Sequence, residues 1–369
     1  MSVPLSKRLI LALCAHKTPC RHFDFGNISS ILIRPFGQGL GDAMMHLAFA
    51  EQIKSAIPHI RLGVIVGRNR DIFARSQYFD ELIPATLKGY YHNRKKWQFL
   101  LDFSESFNTP DLIADKILLP QAVMIFSKAD KAYYNHQSIS NFDFCCPFIP
   151  TNHVVRHLET SLLAKYFTLS HIPPSFSVSK EEIYQANTFW PKQPTIKILL
   201  APQGHSRTGK QIPPIELAHI LNNAIRDTTR INLLLGNTTN SNEYLIELKK
   251  YCRPELNIAL SPPTSLSKYL ALAASADIII GVDSGTVHLA CALKKPTMAF
   301  YGQANIQTWH PLPHPDTPYL LLIASKQNID PAVLEHFDLA AATNWLREQI
   351  SNINENLTTT PRLPENKTE

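Results

Sequence analysis

The chain has 369 residues, too many for one ordinary core and about right for two domains of typical size. With 44% hydrophobic and 18% charged residues the composition is globular, and a large core is available. The formal charge of +6 permits an anionic partner but lacks the dense basic face of a nucleic-acid binder, which is set aside.

At the start, Lys7 and Arg8 precede LILALCA, which mimics a short signal peptide. The apolar run covers only residues 9 to 15, ends at His16 and Lys17, and lacks a small-x-small cleavage site. No segment approaches the ~20 apolar residues that a spanning helix needs. A short amphipathic helix is expected, packed on the domain or resting on a membrane surface. The cysteines (Cys14, Cys20, Cys145, Cys146, Cys252 and Cys291) form no C-x-x-C pair and no zinc spacing, so reduced thiols and a cytoplasmic chain are expected.

Ile31 to Arg34 reads as a strand, broken by Gly37, Gly39 and Gly41; Asp42 then stands where a helix begins, and Leu62 to Val66 resumes a strand. This is a βαβ unit and implies a parallel sheet. In such sheets ligands bind beyond the carboxyl ends of the strands, where this glycine turn lies. Asp42 either caps the helix or faces a ligand. The stretch GQGLGD is a weak match to G-x-G-x-x-G. Gly67, Arg68 and Asn69 stand where a ribose-binding acid would follow ~20 positions on, so a nicotinamide site is rejected. Next, GYYHNRKKWQFL interleaves Arg94, Lys95 and Lys96 with Tyr90, Tyr91 and Trp97. It reads as a grip for an anionic headgroup or phosphosugar, or as a surface helix with snorkelling cations.

Prolines 173, 174, 191 and 194 mark a linker region. Beyond it, strands are expected at Ile196 to Ala201 and Ile231 to Leu235, with ELAHILNNAI helical between them. Then SLSKYLALAASA reads as helix, DIIIGV as strand, VHLACALKK as helix and TMAFY as strand. The alternation in both halves predicts an α/β chain of two doubly wound domains. The expected boundaries are an extension over 1–29, domains over 30–179 and 180–350, and a polar, disordered tail over 351–369.

Two constellations in the second half could carry chemistry. The loop APQGHSRTGKQ puts Arg207 and Lys210 just past a strand end, either as diphosphate contacts or as a solvated basic loop. Asp283, Ser284, Gly285 and Thr286 precede a helix that carries His288 in its first turn. Free N–H groups and the dipole at such a helix start suit a phosphate; the same pattern also serves a plain N-cap followed by a buried His. No D-x-D stands at a strand end to hold a metal.

Together these stretches resemble glycosyltransferase family 9, the bacterial heptosyltransferases of lipopolysaccharide core, over roughly residues 30 to 345. LGDAMMHLAFAEQIKSAIPHIRLGVIV is similar to the family's amino-terminal strand-turn-helix, and PQGHSRTGK to its P-G-x-S…K loop. IIIGVDSGTVHLACALKKPTMAFYGQ resembles its DSG-x-x-H-x-A-x-A-x-x-(K/R)-P signature. The resemblance implies a GT-B type fold, two Rossmann-like domains facing across a cleft, with acceptor on the first and nucleotide sugar on the second. It implies inverting, metal-free transfer of heptose from ADP-heptose to a phosphorylated, lipid-linked core oligosaccharide, by a cytoplasmic enzyme peripheral to the inner membrane.

Carried across by position, Asp42 matches the family's general base and Lys210 its phosphate-contacting lysine. The donor would meet Gln203, Ser206, Arg207, Gly236, Asp283, Ser284, Gly285, Thr286, Val287 and His288, and the acceptor Gly39, Gly41, Arg94, Lys95 and Lys96. Departures are Ile212 where the family often has Trp, the extra glycine before Asp42, and the long amino-terminal extension. A same-fold transferase for another nucleotide sugar, a nucleotide-sugar epimerase and a non-catalytic core-binding scaffold are the alternatives.

Overall fold

The computed structural model describes residues 3–359 except 148, 150, 151, 191–195, 205–209, 305 and 326–332. The chain divides into two compact units: Met1–Ser177 with Gln307–Trp309, and Val178–Ile306 with His310–Glu369.

The first unit runs α1 (Leu5–Cys14), β1 (Ser30–Arg34), α2 (Leu40–Ala56), β2 (Arg61–Val66), α3 (Arg70–Phe73), β3 (Glu81–Pro84), α4 (Leu87–His92), β4 (Phe99–Asp102), α5 (Thr109–Leu118), β5 (Ala122–Phe126) and β6 (Phe144–Cys146). All strand pairings are parallel and the order is β3-β2-β1-β4-β5-β6. Strands such as SILIR and AVMIF are buried at every position because helices cover both faces of a parallel sheet. On one face Leu32, Ile65, Leu100, Val123 and Ile125 form a core with Leu112, Ala114 and Leu118 of α5, with Ile10, Leu11 and Cys14 of α1, and with Tyr90 of α4. Helix α2 is buried all round from Ala43 to Ala50, so its sequence shows no polar face.

From Val178 on, the chain runs α6 (Lys180–Ala186), β7 (Ile196–Ala201), α7 (Pro214–Ala224), β8 (Ile231–Leu235), α8 (Ser241–Tyr251), β9 (Ile258–Leu260), α9 (Leu266–Ser275), β10 (Ile278–Val282), α10 (Gly285–Ala292), β11 (Thr297–Tyr301), α11 (Ile306–Trp309), β12 (Tyr319–Ile323) and α12 (Leu339–Thr359); all of these form the second unit except α11, which is grouped mostly with the first. The sheet of the second unit is again parallel, ordered β12-β11-β10-β7-β8-β9. Both sheets thus share the 3-2-1-4-5-6 order of the dinucleotide-binding fold, with switch points at β1/β4 and β7/β10. The α/β class and the two doubly wound units expected from the sequence are those observed.

The tail departs from expectation. Helix α12 continues to Thr359, through nine residues read as disordered. Ala342, Leu346, Ile350 and Ile353 continue an i, i+4, i+8, i+11 stripe, and Ile350 and Ile353 pack on the second core. The expected tail beyond residue 359 lies outside the described residues.

One glycine position has a measurable consequence. A Cβ on Gly63 of β2 would lie 2.4 Å from Cη2 and 2.7 Å from Cζ2 of the buried Trp97 ring. The Arg61 guanidinium covers that ring 4.2 Å from its centroid. Trp97 is therefore a core residue and cannot belong to a surface aromatic grip. Gly63→Ala is expected to destabilise by about 1–3 kcal/mol through overpacking. Thermal unfolding with Trp fluorescence checks this; an unchanged Tm would show that the ring slides aside freely.

Candidate functional site

The β1/β4 switch point is built on one carboxylate. After Arg34 the chain turns at Gly37, with φ +55°, and α2 starts at Leu40 behind the N-cap Gly39. Asp42 occupies the third helical position and its Oδ2 accepts the Gly39 N–H at 2.8 Å. Capping and poising are thus done by one side chain. A Cβ on Gly37 would stand 1.9 Å from Oδ2 of Asp42, so glycine is required there by both backbone and space. A Cβ on Gly39 would lie 3.1 Å from the same oxygen, and Gly41 follows in the first turn.

The turn is braced from β2: the Asn69 side chain donates to the Gly39 carbonyl at 3.1 Å, and the Arg68 N–H to Oε1 of Gln38 at 3.3 Å. From α2, His46 accepts the Phe36 N–H at Nε2, 3.0 Å away. Burial drives its pKa to about 3, so the ring is neutral and carries its proton on Nδ1. Asp42 itself is half-buried. Burial raises its pKa, the Gly39 N–H pulls the other way, and the negative charge of Glu105 adds to the rise. A carboxylate so placed is more basic than one in water.

Beneath this turn lies an ion cluster that the sequence did not suggest. Arg34, buried at the end of β1, reaches Asp102 of β4 at 2.8 Å and Asp115 of α5 at 2.5 Å, with Asp111 at 3.5 Å. Lys128 lies 3.0 Å from Asp102, and Asn141 donates to Asp115. Two cations face three carboxylates. Despite burial, the cations hold Asp102 down to about 2. Burial, with the neighbouring carboxylates, pushes Asp115 up to about 6. Glu105, too, was missed; it follows β4 at the carboxyl edge, and reading FLLD as a strand would have placed it there.

The β7/β10 switch point assembles the second set. Gly204 and Lys210 form a stem, with the Gly204 N–H donating to the Lys210 carbonyl at 2.6 Å. Ser206 and Arg207 lie outside the described residues. Lys210 Nζ sits 2.6 Å from Asp283 Oδ2, in an ion pair at the exit of β10. Ser284 is the N-cap of α10, with extended backbone; its Oγ is buried, makes no side-chain cap and meets no partner. Gly285 and Thr286 open the helix, so their N–H groups are among those a helix start leaves free. Thr286 Oγ1 lies 2.6 Å from the hydroxyl of Tyr269 on α9, a neighbour that its helix pattern disguised as core. Gln203 joins the exit of β7 to α8 through Ser241, 3.3 Å away, and pairs with Gln211. Gly236 ends β8 beside the Tyr269 ring, where a Cβ would meet only ordinary contacts of 3.6 and 3.8 Å.

The structure qualifies three of the expected contacts. The side chain of Val287 is fully buried against Ala299 and Tyr301, and its N–H turns back to the Ser284 carbonyl, so it offers a ligand nothing. His288 is buried and pushed down to about 4, mainly by that burial, so its ring is neutral and would meet an anion through an N–H rather than a charge. Arg94, Lys95 and Lys96 lie just before β4 begins, at the amino edge of the parallel sheet, whereas Asp42 lies past its carboxyl edge. They cannot touch a hydroxyl at Asp42. Among the described residues no group of three or more His, Cys, Asp or Glu is disposed to hold a metal.

The sequence profile described as Glycosyltransferase family 9 (heptosyltransferase) matches residues 143–330, just over half of the chain. Lipopolysaccharide heptosyltransferase 1 of Campylobacter coli is 35% identical over 111 residues, a match covering 29% of this chain and only 32% of that relative. Among solved structures, the E. coli ADP-heptose lps heptosyltransferase II superposes with TM-score 0.70 at 17% identity, over 89% of this chain and 100% of that one. A family 9 glycosyl transferase from Veillonella parvula gives TM-score 0.62 at 16% identity, covering 91% and 98%. E. coli heptosyltransferase WaaC with ADP gives TM-score 0.61 at 16% identity, covering 87% and 99%. The GT-B type fold implied by the motifs is the fold of these neighbours, and the chain belongs to glycosyltransferase family 9.

Proposed function

We propose that this protein is an inverting, metal-independent heptosyltransferase. It moves heptose from ADP-heptose to the lipid-linked inner core of lipopolysaccharide or lipooligosaccharide, at the cytoplasmic face of the inner membrane. The observation that carries the reading is the pairing of chemistries at the two switch points. One holds a half-buried carboxylate of raised basicity, Asp42; the other holds a lysine, Lys210, beside an open helix start.

An inverting transfer is one displacement at the anomeric carbon. The acceptor hydroxyl forms the new C–O bond as the bond to the diphosphate breaks, and its proton passes to Asp42. Charge grows on the β-phosphate of the leaving ADP. Lys210, the N–H groups of Gly285 and Thr286 and the unpartnered Ser284 hydroxyl are suited to meet it. These groups supply the neutralisation that a divalent ion would otherwise give. Bound diphosphate would compete with Asp283 for Lys210, which holds the lysine in place until donor arrives. ADP and ADP-2-deoxy-2-fluoro heptose are the compounds bound to the two WaaC neighbours, which supports an adenine nucleotide sugar as donor here.

Purified protein is expected to release ADP from ADP-heptose only when a core acceptor is present, and to do so in EDTA. UDP- and GDP-sugars should give no release. Turnover with one of those donors would move the donor assignment, and dependence on a divalent ion would overturn the metal-independent mechanism.

A further inference from the structure

Helices α1, α5 and α4 lie side by side over one face of the first sheet, with α5 in the middle. Lys7 of α1 donates to Thr109 of α5 at 3.0 Å, and Lys95, after α4, donates its N–H to the Leu118 carbonyl of α5 at 2.7 Å. Their inward side chains share one core. Their outward side is unusual. On α1, Leu5, Leu9 and Leu13 are 82%, 58% and 56% exposed, at an i, i+4, i+8 spacing that aligns them on one face. On α4, Leu87 and Tyr91 are 65% and 69% exposed, again four apart. These are five of the eleven exposed large hydrophobic side chains among the described residues.

The charges around them have one sign. Arg8, Lys88 and Lys116 are exposed on the three helices, and Arg94, Lys95 and Lys96 follow α4. The three helices carry only two acidic residues, Asp111 and Asp115, and both turn inward to Arg34. A surface for a protein partner typically disfavours lysine and mixes its charges. Leucines and a tyrosine set among unopposed lysines and arginines match an anionic lipid surface, where apolar side chains enter the headgroup boundary and cations meet phosphates.

We infer that the α1–α5–α4 face is a bilayer-docking surface, selective for membranes rich in anionic lipid. It deepens, and rests on, the reading of a lipid-linked acceptor: α1, in the amino-terminal extension, supplies three of the five apolar side chains of this face. No helix among the described residues is long and apolar enough to cross a membrane, so attachment is reversible. The cations at the amino edge of the first sheet thereby gain a role that their distance from Asp42 denies them as sugar contacts.

The test is flotation of the full-length protein with vesicles of phosphatidylcholine alone and of phosphatidylcholine with phosphatidylglycerol, at low and high salt. Wild type should float with the anionic vesicles and less so at high salt. The Leu9→Glu/Leu13→Glu double variant should lose binding about tenfold or more. Arg8→Gln/Lys88→Gln/Lys116→Gln should lose about fivefold per cation, all in the salt-sensitive part. Both variants alter exposed side chains, and ADP release with a deacylated, soluble acceptor should match wild type. Equal flotation with neutral vesicles, or an unaffected leucine variant, overturns the inference. So does a wild-type dimer that the leucine changes dissociate, because the occupant is then a second copy. Flotation as expected without acceptor-dependent ADP release would sink the transferase reading and leave the surface standing.

Discussion

Asp42→Asn is expected to fold normally, bind donor like wild type and lose turnover by about 10²–10⁴-fold. Asparagine is nearly isosteric, and its Oδ1 can still accept the Gly39 N–H that Asp42 accepts at 2.8 Å. The space beside Gly37 is likewise unaltered. What disappears is the carboxylate that the proposed mechanism assigns to the proton of the attacking hydroxyl. The wild-type pH profile carries a second signature. A general base works when deprotonated, and burial raises Asp42 above the ordinary carboxylate range near 4. Its kcat/KM should therefore fall as pH drops through an apparent pKa above that range. Asp42→Asn should lose this acidic limb along with its rate. A loss smaller than about tenfold, below the range for general-base catalysis, would restrict Asp42 to capping α2. Measuring kcat and donor Kd for both proteins, with unfolding curves alongside, separates a missing base from a broken cap.

Much of this arrangement was legible in the sequence, for a physical reason. The glycine turn before Asp42 and the DSG turn before α10 are places where the backbone must change direction at a strand end, and small residues at fixed spacing are the cheapest way to do it. The buried strands of the second unit stand out as apolar runs bounded by polar turns; β7, β8 and β11 have the limits expected. The strands from Glu81 to Cys146 were not read, because they span only three to five residues each and leave no periodic trace. The tail helix was missed because its inward face is sparse: Leu346, Ile350 and Ile353 among Arg, Glu, Gln and Asn. Trp97 read as a surface ligand because it follows Arg94, Lys95 and Lys96. Only the long-range approach to Gly63 reveals it as core. The Arg34 cluster joins residues up to 107 apart, from Arg34 to Asn141, so no local window could show it.

That cluster sets the second large expectation. Arg34→Met should destabilise the protein by about 3–5 kcal/mol, because it takes the guanidinium from buried Asp115 and leaves Asp102 with Lys128 alone. Against a typical domain stability of about 5–15 kcal/mol, this is enough to dominate the unfolding curve. The loss should depend on pH in a direction that packing alone does not predict. Without the guanidinium the folded-state pKa values of Asp102 and Asp115, both of which Arg34 lowers, rise relative to wild type. The folded variant then binds more protons than the folded wild type. Groups raised in the folded state give stability that is present at low pH and is lost as pH rises through their folded pKa. The gap between wild type and variant should thus be widest in mild alkali and narrow on acidification, through the region near pH 6 where Asp115 already titrates in the wild type. Chemical denaturation of both proteins across that range reads the effect. A constant gap would mean that methionine merely packs badly; no gap would mean that water reaches the carboxylates. The cluster matters to function because of where it sits. Arg34 ends β1, Asp102 ends β4, and the Asp42 turn begins at the next residue. Fixing the relative height of those two strand ends steadies the turn that leaves β1, and the proposed base, Asp42, stands on that turn.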